Sequence, residues 1–282
     1  RRYQPDVVHA SLFHANVAAR LVGRCDRVRP IITSTVTIEI ERAWHRWGEA
    51  ATCGASDIHV ANSRAVATHL REDLCFPSDR LVVIPNAIEF EELDRPQPIE
   101  RERYGIDPEA WLIVWAGRMD PVKNLPVWLE VINRTARRGK VCAVLLGDGP
   151  ERAKLEAISH HAGLGEVVRF VGWSDATVAW MKAADCLLFP SLTEGCPNVV
   201  LEAMACGCPV IASDIPACRE LIEDGVSGML CRSNDMSAYD AALDTLRSGG
   251  GKGRQMGEAA RERVRSGHRM ERIVGLWRGV YE

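Results

Sequence analysis

Short apolar runs rich in β-branched residues alternate with longer segments of helical periodicity along most of the chain. Asp6-Val7-Val8-His9 reads as a strand, Ala15 to Val22 as an amphipathic helix, and Ile31-Ile32-Thr33-Ser34-Thr35-Val36 as a second strand. A helix carrying Trp44 and Trp47 comes next, then a strand from Ile58 to Asn62, a helix from Arg64 to Leu70 capped by Ser63, and a strand from Leu81 to Asn86. The rhythm restarts at Trp111, with strands over 111–116, 141–146, 167–171, 186–190 and 209–212. Helices from about Asn124 to Arg138, from Pro150, from beyond Trp173 to Ala183, and from Pro197 to Cys206 separate them. A helix from Pro216 to Ile222, a short strand at Gly228-Met229-Leu230, helices over 235–247 and 255–265, and an amphipathic helix from Arg269 to Tyr281 complete the chain. Strands that alternate with helices predict an α/β protein with parallel sheets.

The interval from Glu89 to Pro108 is charged and holds Pro96 and Pro98, the composition of a linker. It divides the pattern into a first domain over residues 1–107, linker included, and a second over 108–266, with a closing helical segment over 267–282. Gly249-Gly250-Gly251-Lys252-Gly253 follows a helix rather than a strand, so it reads as a turn and not a phosphate loop.

The densest chemistry lies in Glu194-Gly195-Cys196-Pro197-Asn198-Val199-Val200-Leu201-Glu202. A buried strand feeds a polar loop with Glu194, and a helix starts at Pro197 and stops at Gly207. The N–H groups of Gly195, Cys196, Asn198 and Val199 stand at that helix start, which suits an anion. Asn198 and Glu202, four apart, share one helix face. Two carboxylates beside an anion site suit a ligand with phosphates in its middle and hydroxyls at both ends, because a carboxylate accepts well from paired hydroxyls. A nucleoside diphosphate sugar has that layout. The plainer alternative makes Glu202 a solvated helix residue and Glu194 a carboxylate favoured by the helix dipole.

This stretch resembles the family 4 glycosyltransferases, retaining enzymes of the GT-B fold. Glu194 and Glu202 match their E-x7-E signature, and the flanking Gly-x-Pro-Asn and Glu-Ala-Met-Ala-x-Gly residues match as well. The likeness extends from Pro5-Asp6-Val7-Val8-His9 to the last helix. It implies two Rossmann-like domains whose parallel sheets face a cleft, an acceptor-side first domain and a donor-binding second domain, and a last helix (267–282) that packs back on the first. The chain opens with Arg1-Arg2-Tyr3-Gln4-Pro5 and no Met, so the first domain is expected to be incomplete.

Arg118 and Lys123 follow a parallel strand at the edge where open α/β sheets bind ligands, and they match the family's diphosphate-holding pair. The resemblance makes Arg118, Lys123 and Glu194 the catalytic set. Gly117, Val171, Gly172, Gly195, Cys196, Asn198, Val199 and Glu202 become donor contacts, with Glu194 on the sugar hydroxyls and Glu202 on the ribose. Val171-Gly172-Trp173 ends a strand where family members contact the base mostly through backbone. Trp173 is read as core or rim packing, with base stacking as the alternative. In the first domain His9 is a candidate at a strand end, and Thr35 stands where the family often carries a His. His14 is a near neighbour of His9, and His160-His161 lies on a polar helix face.

The mechanism implied needs no protein nucleophile, cofactor or metal, and the sequence has no Asp-x-Asp motif. The expected partners are a UDP-, GDP- or ADP-sugar and a glycan, lipid-linked or small-molecule acceptor. A nucleotide-sugar-binding fragment without turnover and a GT-B nucleotide-sugar epimerase remain as other readings. Hydrophobic residues make up 46% of 282, enough for two cores, and a formal net charge of −3 argues against nucleic acid. No run approaches the roughly 18 apolar residues of a membrane span. Cys142, Cys186, Cys206 and Cys231 sit in apolar runs and no Cys-x-x-Cys occurs, which suits a reducing cytoplasm, with peripheral contact at the inner membrane face possible through residues preceding Arg1.

Overall fold

The computed structural model describes residues 5–26, 30–38 and 43–282, and within them the apolar runs become strands of two parallel sheets. Two units result. The first holds residues up to Ala87 together with Glu194–Cys196 and Met270–Glu282; the second holds Ile88–Thr193 and Pro197–Arg269.

In the first unit β1 (Val8–Ser11), α1 (Phe13–Asp26), β2 (Ile31–Thr35), α2 (Ala43–Thr52), β3 (Ile58–Ala61), α3 (Arg64–Asp73) and β4 (Leu81–Val83) follow one another, and the sheet order is β1-β2-β3-β4. Every pairing is parallel. Alternation sends Ile32 and Val60 to one face, where Ile84 and the C-terminal helix Met270–Tyr281 cover them through Ile273 and Val280. Ala61 packs with Val66, Leu70 and Phe76 in a separate cluster. Ser63 caps α3, its hydroxyl accepting from the Val66 N–H at 3.0 Å.

This unit also buries a polar layer that the strand pattern does not announce. Arg20 is fully buried; it donates to Glu49 at 2.5 Å, to the Ser56 hydroxyl at 2.8 Å and to the Thr52 hydroxyl at 3.1 Å. Its Nη2 also stands 3.2 Å from His59 Nδ1. A guanidinium cannot accept, so Nδ1 is the acceptor and the ring proton sits on Nε2, 3.1 Å from the Thr35 hydroxyl. Burial first, then the Arg20 charge, hold the His59 pKa down at about 3.

The second unit runs α4 (Phe90–Asp94), β5 (Trp111–Ala116), α5 (Leu125–Ala136), β6 (Val141–Leu146), α6 (Arg152–His161), β7 (Val168–Gly172), α7 (Thr177–Ala183), β8 (Cys186–Phe189) and α8 (Asn198–Ala205). It continues with β9 (Val210–Ser213), α9 (Pro216–Leu221), β10 (Met229–Cys231), α10 (Met236–Ser248) and α11 (Lys252–His268). Its sheet order is β10-β9-β8-β5-β6-β7, all parallel. Helices cover both faces, which is why Leu112–Trp115, Ala143–Leu145 and Val210–Ala212 are apolar without alternation and have no exposed surface. The winding starts at β5, proceeds outward to β7, and then restarts on β5's other side with β8. The switch point between β5 and β8 is where such sheets place ligands.

Three expectations change. Residues 89–108 are not a free linker: Ile99 N–H donates to Ala179 O at 3.1 Å, Lys182 reaches Pro96 O at 2.8 Å, Arg101 pairs with Asp185 at 2.9 Å and Ile106 is buried. The division therefore falls at Ala87/Ile88 rather than near 108, since the strap finds its partners on α7 and at Asp185, just before β8. Strand β1 starts at Val8, two residues later than the expected start at Asp6, and runs to Ser11, so His9 is its second residue rather than its end. Helix α6 starts at Arg152, because Pro150 and Glu151 are spent on the turn.

Candidate functional site: the β5–β8 switch point

Strand β5 is followed by Gly117, whose φ of 149° leaves the pleat, and the chain turns through Arg118 and a 3-10 turn at Pro121–Lys123. Arg118 has 74% of its side chain exposed and, among the described residues, one ion pair, Nε to the Asp120 carboxylate at 3.2 Å. Lys123 Nζ lies 5.9 Å from the centre of the Phe189 ring, and Leu192 N–H donates to Val122 O at 2.8 Å. The loops after β5 and β8 are thus joined across the switch point, with two cations along them.

Helix α8 starts as its sequence demands. Pro197 precedes it, and the carbonyl of Pro197 takes the N–H groups of Val200 (3.0 Å) and Leu201 (3.2 Å). Leu201, Ala203, Met204 and Ala205 are buried, Asn198 is exposed and Val199 half-buried. Glu202, on the Asn198 side, is half-buried, and its carboxylate makes no hydrogen bond or ion pair among the described residues. Burial raises its pKa above the usual carboxylate range. A carboxylate in that state gains from any hydroxyl that donates to it.

The motif is split by the fold. Glu194, Gly195 and Cys196 belong to the first unit, as does His9; Gly117, Arg118, Lys123, Val171, Gly172, Asn198, Val199 and Glu202 belong to the second. Gly195 lies so close to β2's exit that a Cβ on it would stand 2.2 Å from Val36 O. The carbonyl of Cys196 accepts from Asn86 Nδ2 at 3.4 Å.

His9 is not poised at a ligand edge. Its Nδ1 is 2.6 Å from the Tyr281 hydroxyl and its Nε2 2.6 Å from the Ser34 hydroxyl, with Trp277 against the ring. Both nitrogens are engaged, and burial lowers its pKa. It fastens the C-terminal helix to β1 and β2. Thr35 does reach the edge of β2, where it lines a cavity of about 50 Å³ with His45, Glu49 and His69. His14 joins an aromatic cluster with Phe13, Trp44 and His45 that spacing alone could not reveal. His160 and His161 are exposed, as their polar face predicted.

At β7 the pairing with β6 slips: Leu145 faces Phe170 and Leu146 faces Gly172, so Val171 is a bulge. Trp173, just beyond, is 81% exposed, which removes it from the core. Gly147 and Gly149, at the exit of β6, crowd the chain after β5: a Cβ on Gly149 would stand 2.6 Å from the Met119 backbone nitrogen. The cysteines whose side chains are described form no disulfide with one another. Burial pushes the Cys206 thiol up to about 11 and Cys231 to about 12, which disfavours the thiolate that a nucleophile needs. Among the described residues no three His, Cys, Asp or Glu side chains group as a metal site, and no helix is long and apolar enough to cross a membrane.

The model of glycosyl transferases group 1 matches residues 96–263, and that of glycosyltransferase family 4 matches residues 1–92. A D-inositol 3-phosphate glycosyltransferase of Frankia alni is 27% identical over 265 residues, covering 86% of this chain and 65% of that protein. The D-inositol 3-phosphate glycosyltransferase 2 of Catenulispora acidiphila is 31% identical over 215 residues, covering 71% of this chain and 50% of that protein. The chain therefore spans between half and two thirds of these relatives' lengths. Anabaena HepE, solved with UDP and glucose, superposes with a TM-score of 0.87 at 20% identity, over 98% of this chain and 77% of that one. Sucrose-phosphate synthase of Thermosynechococcus elongatus gives 0.85 at 22% identity, over 99% and 74%. The fold is GT-B, two Rossmann-like units each built on a parallel sheet.

Proposed function

The chain belongs to the glycosyl transferases group 1 family, and from that premise we propose that it moves a sugar from a nucleoside diphosphate sugar to an acceptor hydroxyl with retention of configuration. The observation that carries this is the β5–β8 switch point, where an exposed Arg118 and a half-buried Glu202, whose carboxylate has no partner among the described residues, stand on neighbouring loops and helix of one sheet edge.

Breaking the bond between sugar and diphosphate builds positive charge on the sugar ring and negative charge on the leaving phosphate. Arg118 can fork onto two phosphate oxygens and Lys123 adds a point charge, so both act most strongly when the leaving charge is greatest. Glu202 accepts from the ribose hydroxyls. Glu194, by its place in the motif, accepts from those of the transferred sugar. The attacking hydroxyl gives its proton to the departing phosphate, so the reading calls for no protein nucleophile, cofactor or metal. We place the reaction in the cytoplasm, where free thiols persist.

UDP is the nucleotide bound in the HepE structure, and D-inositol 3-phosphate is the acceptor in the relatives' names. Both are the first to try. The test incubates the chain with UDP-, GDP- or ADP-glucose and D-inositol 3-phosphate, or a glycan acceptor, and follows nucleotide release and product mass. Transfer from one donor supports the enzyme. Donor binding without transfer to any acceptor favours the non-catalytic donor-binding reading, and neither binding nor transfer contradicts both.

A further inference from the structure

The first unit holds a buried charged layer to which the transfer reading gives no task. Arg20 turns its N–H groups inward: Nε to Ser56, Nη1 to Glu49 and Thr52, Nη2 to Thr33 and His59. That engages all five donors of the guanidinium. A buried ion pair is weak evidence for stability, so what this one orients matters more.

It orients a hydroxyl. His59 Nδ1 faces Arg20 Nη2 at 3.2 Å and the Thr33 hydroxyl at 2.6 Å, so it accepts and the ring proton stays on Nε2. Nε2–H donates to Thr35 Oγ1 at 3.1 Å, which obliges the Thr35 hydrogen to point away from the ring. Among the described residues no group accepts that hydrogen. On the other side of the layer, Glu49 gives Oε2 to Arg20, and its Oε1 has no partner among the described residues.

Thr35 and Glu49 line the same cavity of about 50 Å³, with Leu12, Phe13, Leu70 and Leu74 among its walls. The cavity thus offers a directed donor, an acceptor and apolar surface. A hydroxyl group both donates and accepts, which matches that pair, and its carbon frame suits the walls. One water needs roughly 10–15 Å³ of such space, so the cavity takes about four heavy atoms, a hydroxyl and the carbons beside it. An anion fits it poorly. The Arg20 donors are spent, His45 is stacked on Phe13 with ring centres 3.9 Å apart, and His69 is held by Asp73 at 2.6 Å. An anion drawn to the exposed Arg46 would meet the Glu49 carboxylate one turn along α2.

We propose that this cavity seats an uncharged hydroxyl group of the acceptor between Thr35 and Glu49, so that the end of the acceptor it recognises is a neutral alcohol and not a phosphate. The seat stands on the geometry of the first unit; its assignment to the acceptor rests on the transfer reading above.

The test follows the methyl resonances of Leu12, Leu70 and Leu74 by NMR while propan-1-ol, propionate or inorganic phosphate is added to wild type, Thr35→Val and Thr35→Ser. A melting curve of each variant checks that it is folded. Propan-1-ol should shift these methyls saturably in wild type, about fivefold more weakly in Thr35→Val, and as in wild type in Thr35→Ser. Propionate and phosphate should leave them unmoved. In the transfer assay propan-1-ol should raise the KM for acceptor and not the KM for donor. No saturable shift, equal binding by Thr35→Val, or tighter binding of either anion overturns the seat and leaves the transfer reading standing. Propan-1-ol binding that does not raise the acceptor KM overturns the assignment to the acceptor. A chain that neither binds nor transfers a donor overturns the transfer reading and that assignment, while the NMR result still decides the seat.

Discussion

A Cβ placed on Gly147 would stand 1.9 Å from the carbonyl oxygen of Gly117. The exits of β5 and β6 can approach that closely only because Gly147 has no side chain, and it sits at a φ of 123° as well. Gly147→Ala should therefore cost more than about 2 kcal/mol of stability and separate the loop of Arg118 from its neighbour. Gly163→Ala is the control: its φ is 71° with nothing within 4 Å, so it bears only the left-handed backbone cost of about 1–2 kcal/mol. Denaturant melts of the two variants should differ in that order. Equal losses would mean that the close approach does not matter.

Arg118 should matter to ligand and not to fold. Its ion pair with Asp120 lies at the surface, the kind worth about 0–1 kcal/mol. Arg118→Ala should melt like wild type yet lose charge-assisted bonds to diphosphate worth about 1.5–3 kcal/mol. Titration with UDP and with uridine separates the cases, since uridine lacks the phosphates and should not respond. A variant that binds UDP as wild type does would remove Arg118 from the site.

Glu202 should trade stability for binding. Its folded pKa lies above the unfolded value because burial disfavours the charged form. The fold is therefore most favoured below the unfolded pKa and loses stability as pH rises through the folded one. Glu202→Gln should melt higher than wild type at pH 7, with the difference vanishing in acid, and should bind UDP several-fold more weakly. A variant less stable at pH 7 would show that the carboxylate is structural.

His59 gives the opposite slope in the first unit. Its pKa falls from 6.5 to about 3 on folding, so its contribution is complete above pH 6.5 and is lost as pH falls toward 3. Wild-type stability should decline across that window, and His59→Gln, which carries no proton to gain, should flatten the decline. An unchanged slope would place the acid sensitivity in the carboxylates instead.

The α/β class, most strands and the Arg118, Lys123 and Glu202 positions were legible in the sequence because each rests on a local pattern: an apolar run, a strand exit, a helix spacing. What was not legible depends on contacts distant in sequence. Residues 89–108 look like a linker until Lys182 and Arg101 hold them to α7 and β8. His9 looks available until Tyr281, 272 residues away, takes one of its nitrogens. The Arg20–Glu49–His59 layer needs three elements to meet, and the exposure of Trp173 depends on a bulge that leaves no mark in composition.

The central claim, that the β5–β8 switch point holds a nucleoside diphosphate through Arg118, is tested most directly by calorimetric titration of UDP, GDP and ADP into wild type and Arg118→Ala without added metal. The account predicts that wild type binds one nucleotide selectively and that Arg118→Ala binds it at least tenfold more weakly with an unchanged melt. No binding by wild type, or equal binding by both proteins, would contradict it.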